Sequence, residues 1–453
     1  MLYRKAQSKI ENWLLVGKDA LLVAGARQVG KTYLIRETLK KQNRDFVEFN
    51  FIKQPSILEI FKSAINNDAE NFLLALRVAS KRVLKNDTVI FFDEIQECKD
   101  ILTVIKFLVE KGQYKYILSG SLLGIELNDL RSAPVGYLET IDMYPMDLEE
   151  FFIANGLKYD VLNEIKKNFE EKKEVNALVH DLLIKTVYEY IIVGGMPEAV
   201  QTFIDTSDFN RVSVVHKKIT LDYKRDFTKY EKSQKLKLIK TYDLIPTELN
   251  QKNKRYMFTD LDKELRFDRY ENSFNWLNDA GVSLPTYNVT EPKVPLKASE
   301  KSNLFKLFLS DVGLLTTQYG NATILKILNQ SKDINCGAIF ENLVAEELSS
   351  HGYELYYFNN KKHGEIDFLI EYKGEATPFE VKSGKDYQTH SALSYFIHNR
   401  TFSNGYVFSK YNVYERENIF YLPIYMIMFF NNDFLIDKKI KIDLSKLAFE
   451  KSK

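Results

Sequence analysis

The chain has 453 residues, too many for a single core, and divides into about three domains. With 45% hydrophobic and 28% charged residues it has the make-up of a globular protein, and a formal charge of +1 excludes any global electrostatic case for nucleic acid or membrane binding. Two isolated cysteines, Cys98 and Cys336, exclude a disulfide framework or a zinc site and fit a reducing cytoplasm.

The N-terminal stretch MLYRKAQSKIENWLLVGKDALL lacks a secretory core followed by a small-residue cleavage site. The apolar run Leu21–Ala24 has strand character and leads into Gly25-Ala26-Arg27-Gln28-Val29-Gly30-Lys31-Thr32. Leu34, Ile35, Thr38 and Leu39 then recur at helical spacing. Strand, glycine loop and helix in that order form the context of a phosphate-binding loop. Its backbone N–H groups curl around the β- and γ-phosphates of ATP, aided by the positive end of the helix dipole. In this reading Lys31 reaches the β/γ oxygens and the Thr32 hydroxyl ligates Mg²⁺.

Next, Val89–Phe92 is a continuous apolar run, as in a strand buried on both faces of a parallel sheet, and it ends in Asp93-Glu94. Both carboxylates then lie at the strand's C-terminal edge, where open α/β sheets bind ligands. Asp93 is expected to hold Mg²⁺ through water, and Glu94 to be the base for the attacking water. A third strand, Lys115–Ser121, ends in small polar residues; Ser119 or Ser121 is a candidate γ-phosphate sensor, with a plain Ser-Gly-Ser turn as the alternative.

The segments GARQVGKT, FFDEIQ, ILSGSLLG, MYPMDLEEFF and VGGMPEAV follow in order. This set resembles the prokaryotic ATPases that pair an AAA-type module with a C-terminal domain known as DUF4143. The resemblance spans most of the chain and implies an AAA+ core over 1–150, with Lys31, Thr32, Asp93 and Glu94 in the roles above. It also makes Arg131 a candidate arginine finger toward a neighbouring subunit, against the alternative of a surface arginine. No arginine stands at an obvious second-sensor position, so an oligomer is left open.

From Met146 to about Lys235 the periodicity is helical, which predicts a lid over 151–235. Gly194-Gly195 is expected to stop one helix and Pro197 to start another. In LDYKRDFTKY, Arg225 and Asp226 are candidates for a local pair. Between Lys217 and Arg255 twelve lysines and arginines face five acids, the one basic region of note. Helices followed by strand-like stretches, among them FKLFLSDVGLLT, suggest a winged-helix module over 236–320, as does the resemblance. That module would contact the phosphate backbone of DNA or RNA, or else be a charged scaffold that binds a protein partner.

The last segment, 321–453, holds GEIDFLIEYKGEATPFEVKSG, two apolar strands around a Lys373-Gly374 turn. Glu380 and Lys382 share one strand face. The hairpin brings Asp367 opposite them, and Glu341 lies on a preceding helix read as amphipathic. These four residues resemble the pattern of the PD-(D/E)xK nuclease superfamily, except that GEID stands where a proline usually precedes the aspartate. The resemblance implies a restriction-endonuclease-like α/β domain with Mg²⁺ or Mn²⁺ at Asp367 and Glu380, and Lys382 positioning or deprotonating a water. Ile419–Phe430 is broken by Pro423, too short to span a bilayer, and reads as a buried strand pair. Three readings result: an ATPase gating a nuclease, an ATP-dependent regulatory switch with a non-catalytic nuclease-like domain, and a DNA-binding ATPase with no cleavage step.

Overall fold

Alternate residues of the first apolar strand face two different cores. In the computed structural model Leu21 and Val23 of β1 (Ala20–Ala24) pack into one cluster, and Ala20 and Leu22 into another. The same split divides β3 (Val89–Asp93) and β4 (Lys115–Ser119). That is why these strands are apolar throughout rather than alternating. The structure describes residues 2–65, 69–121, 136–227, 235–251, 254–256, 271–331 and 336–432. Arg131 lies outside them.

With β2 (Phe46–Asn50) and β5 (Leu138–Asp142) these strands form a parallel sheet in the order β2-β3-β4-β1-β5. One face is covered by α3 (Pro55–Ile65), α4 (Ala69–Ser80) and α5 (Ile101–Lys111), and the other by α1 (Lys5–Val16) and α2 (Lys31–Lys41). The cluster that takes in Leu21 and Val23 runs on without a break into a helical region. This comprises α6 (Leu148–Ala154), α7 (Tyr159–Glu171), α8 (Ala177–Val193), α9 (Pro197–Thr206) and α10 (Phe209–Asp226).

Gly194 caps α8 and Pro197 opens α9, as the sequence predicts. A Cβ on Gly194 would stand 2.3 Å from Asp311 Oδ1, and one on Gly195 2.0 Å from the Met146 carbonyl oxygen. The glycine pair is therefore a contact surface as well as a helix stop. Asp311 fills the space with a carboxylate that accepts the Gly195 N–H at 2.7 Å. MYPMDLEEFF is likewise a joint: Asp147 and Glu150 form a capping box on α6 and pair with Lys5 and Arg4.

A second sheet has eight strands in the order β12-β13-β11-β10-β9-β8-β6-β7. These are β6 (Ser283–Val289), β7 (Glu300–Leu309), β8 (Tyr356–Asn360), β9 (Gly364–Tyr372), β10 (Glu375–Val381), β11 (Gly405–Ser409), β12 (Tyr414–Arg416) and β13 (Ile419–Pro423). The β6–β7 hairpin, expected as a wing, is the edge of this sheet. Parallel pairing of Tyr287 with Tyr356 ties β6 to β8, because the strand's own backbone groups need a partner on each side. The rest of FKLFLSDVGLLT turns into a helix, α13 (Val312–Gln318). Two helices precede the hairpin, α11 (Lys235–Leu249) and α12 (Glu271–Asp279).

The helices α14 (Asn321–Leu328), α15 (Gly337–Ser350) and α16 (Ser391–His398) complete the described fold. Every residue of α15 from Ala338 to Leu348 is buried, so this helix is enclosed all round rather than amphipathic. It lies between the second sheet and the helical region. The Ile419–Phe430 run is one strand, β13, followed by a 3₁₀ turn over Ile424–Phe429, since Pro423 ends the ladder. Among the described residues no helix is long and apolar enough to cross a membrane.

Candidate functional site

The phosphate loop joins β1 to α2. A Cβ on Gly25, whose φ is +142°, would fall 2.1 Å from the Met143 carbonyl oxygen, so only glycine lets the loop pass β5. Lys31 folds back over the loop and donates to the carbonyls of Gly25 at 2.8 Å and Ala26 at 2.7 Å. Burial pushes its ammonium down to about 8, against the pull of Glu94 and Asp93. A buried cation held mainly by carbonyls gains most from an anion, which is what a triphosphate supplies.

Asp93 is the hub of the site. Its carboxylate accepts from Thr32 Oγ1 at 2.9 Å and Ser119 Oγ at 2.5 Å on one oxygen, and from Asn50 Nδ2 at 2.7 Å on the other. Sequence reasoning had no reason to single out Asn50; it enters because β2 pairs with β3 and sets Asn50 opposite Asp93. Thr32 and Asp93 present the oxygen donors that Mg²⁺ requires, so the residues fit the ion. Glu94 follows in a left-handed conformation with φ 60° and accepts from Gln96 Nε2 at 2.6 Å. Ser121, the other sensor candidate, is buried just beyond β4.

The loop's outer residues are clamped. Arg27 pairs with Asp226 at 2.6 Å and Gln28 donates to Asp222 at 2.9 Å, both on α10. The Tyr223 hydroxyl donates to the Arg27 carbonyl at 3.2 Å. Arg4 donates to the Val29 carbonyl at 3.0 Å. The expected Arg225–Asp226 pair is not the one formed: Arg225 faces Asp222 at 3.1 Å, and Asp226 turns inward to the phosphate loop.

The second constellation also converges. The Lys373-Gly374 turn is left-handed at both residues and sets β9 antiparallel to β10. Asp367 accepts from the Val381 N–H at 2.8 Å, and Lys382 lies 2.9 Å from Glu380. Glu341, from α15, is close enough to both Asp367 and Lys382 to shift their balance of charge. Burial and the neighbouring Asp367 push the Glu380 carboxyl well above the carboxylate range. Asp367 is held below that range because, although burial opposes it, Lys306, Lys254 and Lys382 surround it.

Two of those lysines were not anticipated. Lys306 of β7 is 1% exposed, 2.5 Å from Glu365 and 3.7 Å from Glu341. Lys254 forms an ion pair with the other oxygen of Glu341. The signal for Lys306 was present as a single lysine inside the apolar run Phe305–Leu309. Lys254 gave none. Among the described residues no three His, Cys, Asp or Glu side chains are disposed around one metal position. A cation held here would rest on Asp367 and Glu380 with water.

The order β2-β3-β4-β1-β5, with the acidic strand separated from the phosphate-loop strand by β4, defines a P-loop ATPase fold of the AAA type. The chain carries an AAA domain, matched over residues 17–152, and the domain of unknown function DUF4143, matched over 336–427. A further domain of unknown function, DUF8612, matches 184–324, across the helical region and the β6–β7 hairpin. An uncharacterized protein of Methanocaldococcus jannaschii, MJ1544, is 24% identical over 365 residues, 79% of this chain and 73% of that one.

Among solved structures, the Walker-type ATPase PABY2304 of Pyrococcus abyssi is 15% identical with a TM-score of 0.42, covering 70% of this chain and 96% of that one. AMPPCP-bound DnaA from Aquifex aeolicus is 13% identical with a TM-score of 0.30, covering 56% and 76%. The AAA domain supports ATP binding.

Proposed function

We propose that this protein is an ATP-hydrolysing switch whose nucleotide state acts on the C-terminal domain. The observation that carries the reading is the Asp93 carboxylate, which gathers Thr32, Ser119 and Asn50 at the mouth of the phosphate loop. Mg²⁺ held by Thr32 and, through water, by Asp93 would neutralise charge on the β- and γ-phosphates. Lys31 releases its two carbonyls for phosphate oxygens, and Glu94 takes the proton of the attacking water. The backbone of Gly25, Ala26, Arg27, Gln28, Val29 and Gly30 cradles the phosphates, and Ser119 senses the terminal one.

The switch reading is supported by a chain of direct contacts leading away from the loop. Asp226 and Asp222 grip Arg27 and Gln28, and Lys224 on the same helix pairs with Asp243 of α11 at 2.6 Å. The Tyr256 hydroxyl then donates to the Thr241 carbonyl of α11, and its backbone N–H to Phe305 of the second sheet. The test is a three-protein comparison. Purified wild type is expected to hydrolyse ATP with Mg²⁺, and Lys31→Ala to lose nucleotide binding. Glu94→Gln is expected to bind ATP while hydrolysing it at least about a hundredfold more slowly. Full hydrolysis by Lys31→Ala would overturn the site assignment. A protein partner retained by Glu94→Gln but not by Lys31→Ala would mark the ATP-bound form as the signalling state.

A second reading is favoured by the convergence of Asp367, Glu380 and Lys382 next to Glu341. In it the C-terminal domain is a Mg²⁺- or Mn²⁺-dependent nuclease acting on DNA or RNA, with ATP as its gate. Among the described residues of the basic region, Lys218, Lys224 and Arg225 are paired with Glu198, Asp243 and Asp222, and this reading rests on the acid–lysine site. Metal-dependent cleavage that Asp367→Ala and Lys382→Ala both abolish, with ATP hydrolysis intact, is the result expected. Absence of cleavage across DNA and RNA substrates leaves the switch without a nuclease.

A further inference from the structure

The acid cluster of the C-terminal domain already contains cations, and the two that reach Glu341 differ in kind. Lys306 rises from the middle of β7 with its side chain 1% exposed, packed between Glu341 and Glu365 and over the Tyr357 ring. It cannot leave without opening the sheet edge. Lys254 enters from the short stretch ahead of Tyr256, its side chain 21% exposed, and places its ammonium on a Glu341 carboxylate that is 2% exposed. A lysine with its stem at the surface can withdraw its charged end into water at small cost. The other Glu341 oxygen is buried and accepts no hydrogen bond, with Lys306 3.7 Å away. That oxygen of Glu341 thus meets Lys306 as an ion pair without a hydrogen bond, and the carboxylate lies near enough to Asp367 and Lys382 to interact with both.

We propose that Lys254 is a removable plug, its ammonium standing on Glu341 in competition with a divalent cation on the Asp367–Glu380 side of the cluster. The proposal rests on the reading of Asp367 and Glu380 as a cation site. The physical ground is simple. An ammonium and a dication a few ångströms apart in a poorly solvated site repel strongly, so one is admitted at the expense of the other. Glu341 is shared between them. With Lys254 seated, its charge is spent on the plug; with Lys254 withdrawn, it adds negative charge to Asp367 and Glu380. The protein then has a built-in means of keeping this site closed to metal that acts without any change in the carboxylates themselves.

The test measures Mn²⁺ binding to the full-length, nucleotide-free chain by electron paramagnetic resonance. Four proteins are compared: wild type, Lys254→Met, Lys254→Gln and Lys254→Met combined with Asp367→Ala. Both single variants are expected to bind Mn²⁺ roughly tenfold or more tightly than wild type, and the Asp367→Ala change to remove the gain. Methionine keeps the length of the stem and glutamine keeps a donor for Glu341, so agreement between the two excludes a packing artefact. Single variants that bind no more tightly than wild type, while Asp367→Ala still lowers binding, would overturn the plug and leave the cation site standing. Mn²⁺ binding that Asp367→Ala does not lower in the Lys254→Met background would overturn the cation site and the plug together.

Discussion

Arg27 Nη1 lies 2.6 Å from Asp226 Oδ1, so the outer turn of the phosphate loop is bound to the last residue of α10. The Asp226 side chain is 9% exposed and that of Arg27 30%, which leaves the pair only partly screened by water. A double-mutant cycle of Arg27→Met and Asp226→Asn is expected to give a coupling energy of about 1 kcal/mol in thermal or urea unfolding. The same variants should change the affinity for an ATP analogue severalfold, since the loop loses its anchor. A cycle that closes at zero in both measurements would make the pair inert.

Asn50 donates to the same carboxylate as Thr32 and Ser119 but reaches it from β2. Asn50→Ala removes one of the donors that orient Asp93 without touching the nucleotide. The expected result is a fall in kcat of about ten- to a hundredfold with KM little changed. A variant with wild-type kcat would remove Asn50 from the machinery of the site.

Gly195 passes so close to Met146 that an added Cβ would sit 2.0 Å from its carbonyl oxygen. Gly195→Ala is therefore expected to cost more than about 3 kcal/mol, or to yield insoluble protein. Gly156, with φ +95° and nothing within 4 Å of an added Cβ, is the control. Gly156→Ala should cost only about 1 kcal/mol, the conformational term alone. Equal losses at both positions would contradict the close packing of α8 against the Met146 segment.

His216 is fully buried, with Nε2 on the Val193 carbonyl at 2.9 Å and Nδ1 beside the Thr317 hydroxyl at 2.7 Å. Burial pushes it down to about 4 from an ordinary 6.5. The unfolded chain therefore binds the extra proton between those two values. The contribution to stability is complete above pH 6.5 and is lost as the pH falls toward 4, by about 3 kcal/mol at most. Urea unfolding at pH 7.5 and 4.5 should show this loss in wild type and a smaller one in His216→Gln. Identical pH dependence in the two proteins would mean that His216 does not titrate with folding.

Much of the first site is legible in the chain because its parts are contiguous. Strand, glycine loop and helix follow within about twenty residues, and the β3 strand ends on its own two carboxylates. The β9–β10 hairpin is legible for the same reason, since one turn sets the register of Asp367 against the Glu380–Lys382 pair. What could not be read is what depends on separate segments meeting. The β6–β7 hairpin has the pattern of a wing, and only its pairing with β8 makes it a sheet edge. Glu341 was visible on its helix, but the enclosure of that helix on every side was not.

The amino-acid order by itself determined the local chemistry: a phosphate loop, an acidic strand end, and acids and a lysine on one hairpin. Their spacing is short, so backbone geometry alone sets their relative positions. The tertiary structure decided which charges those groups meet. It brought Asn50 to Asp93, Asp226 to Arg27, and Lys254 and Lys306 to Glu341 across tens to hundreds of positions in the chain. A buried charge must find its partner wherever the packing of apolar faces carries it, and that packing is a property of the whole fold.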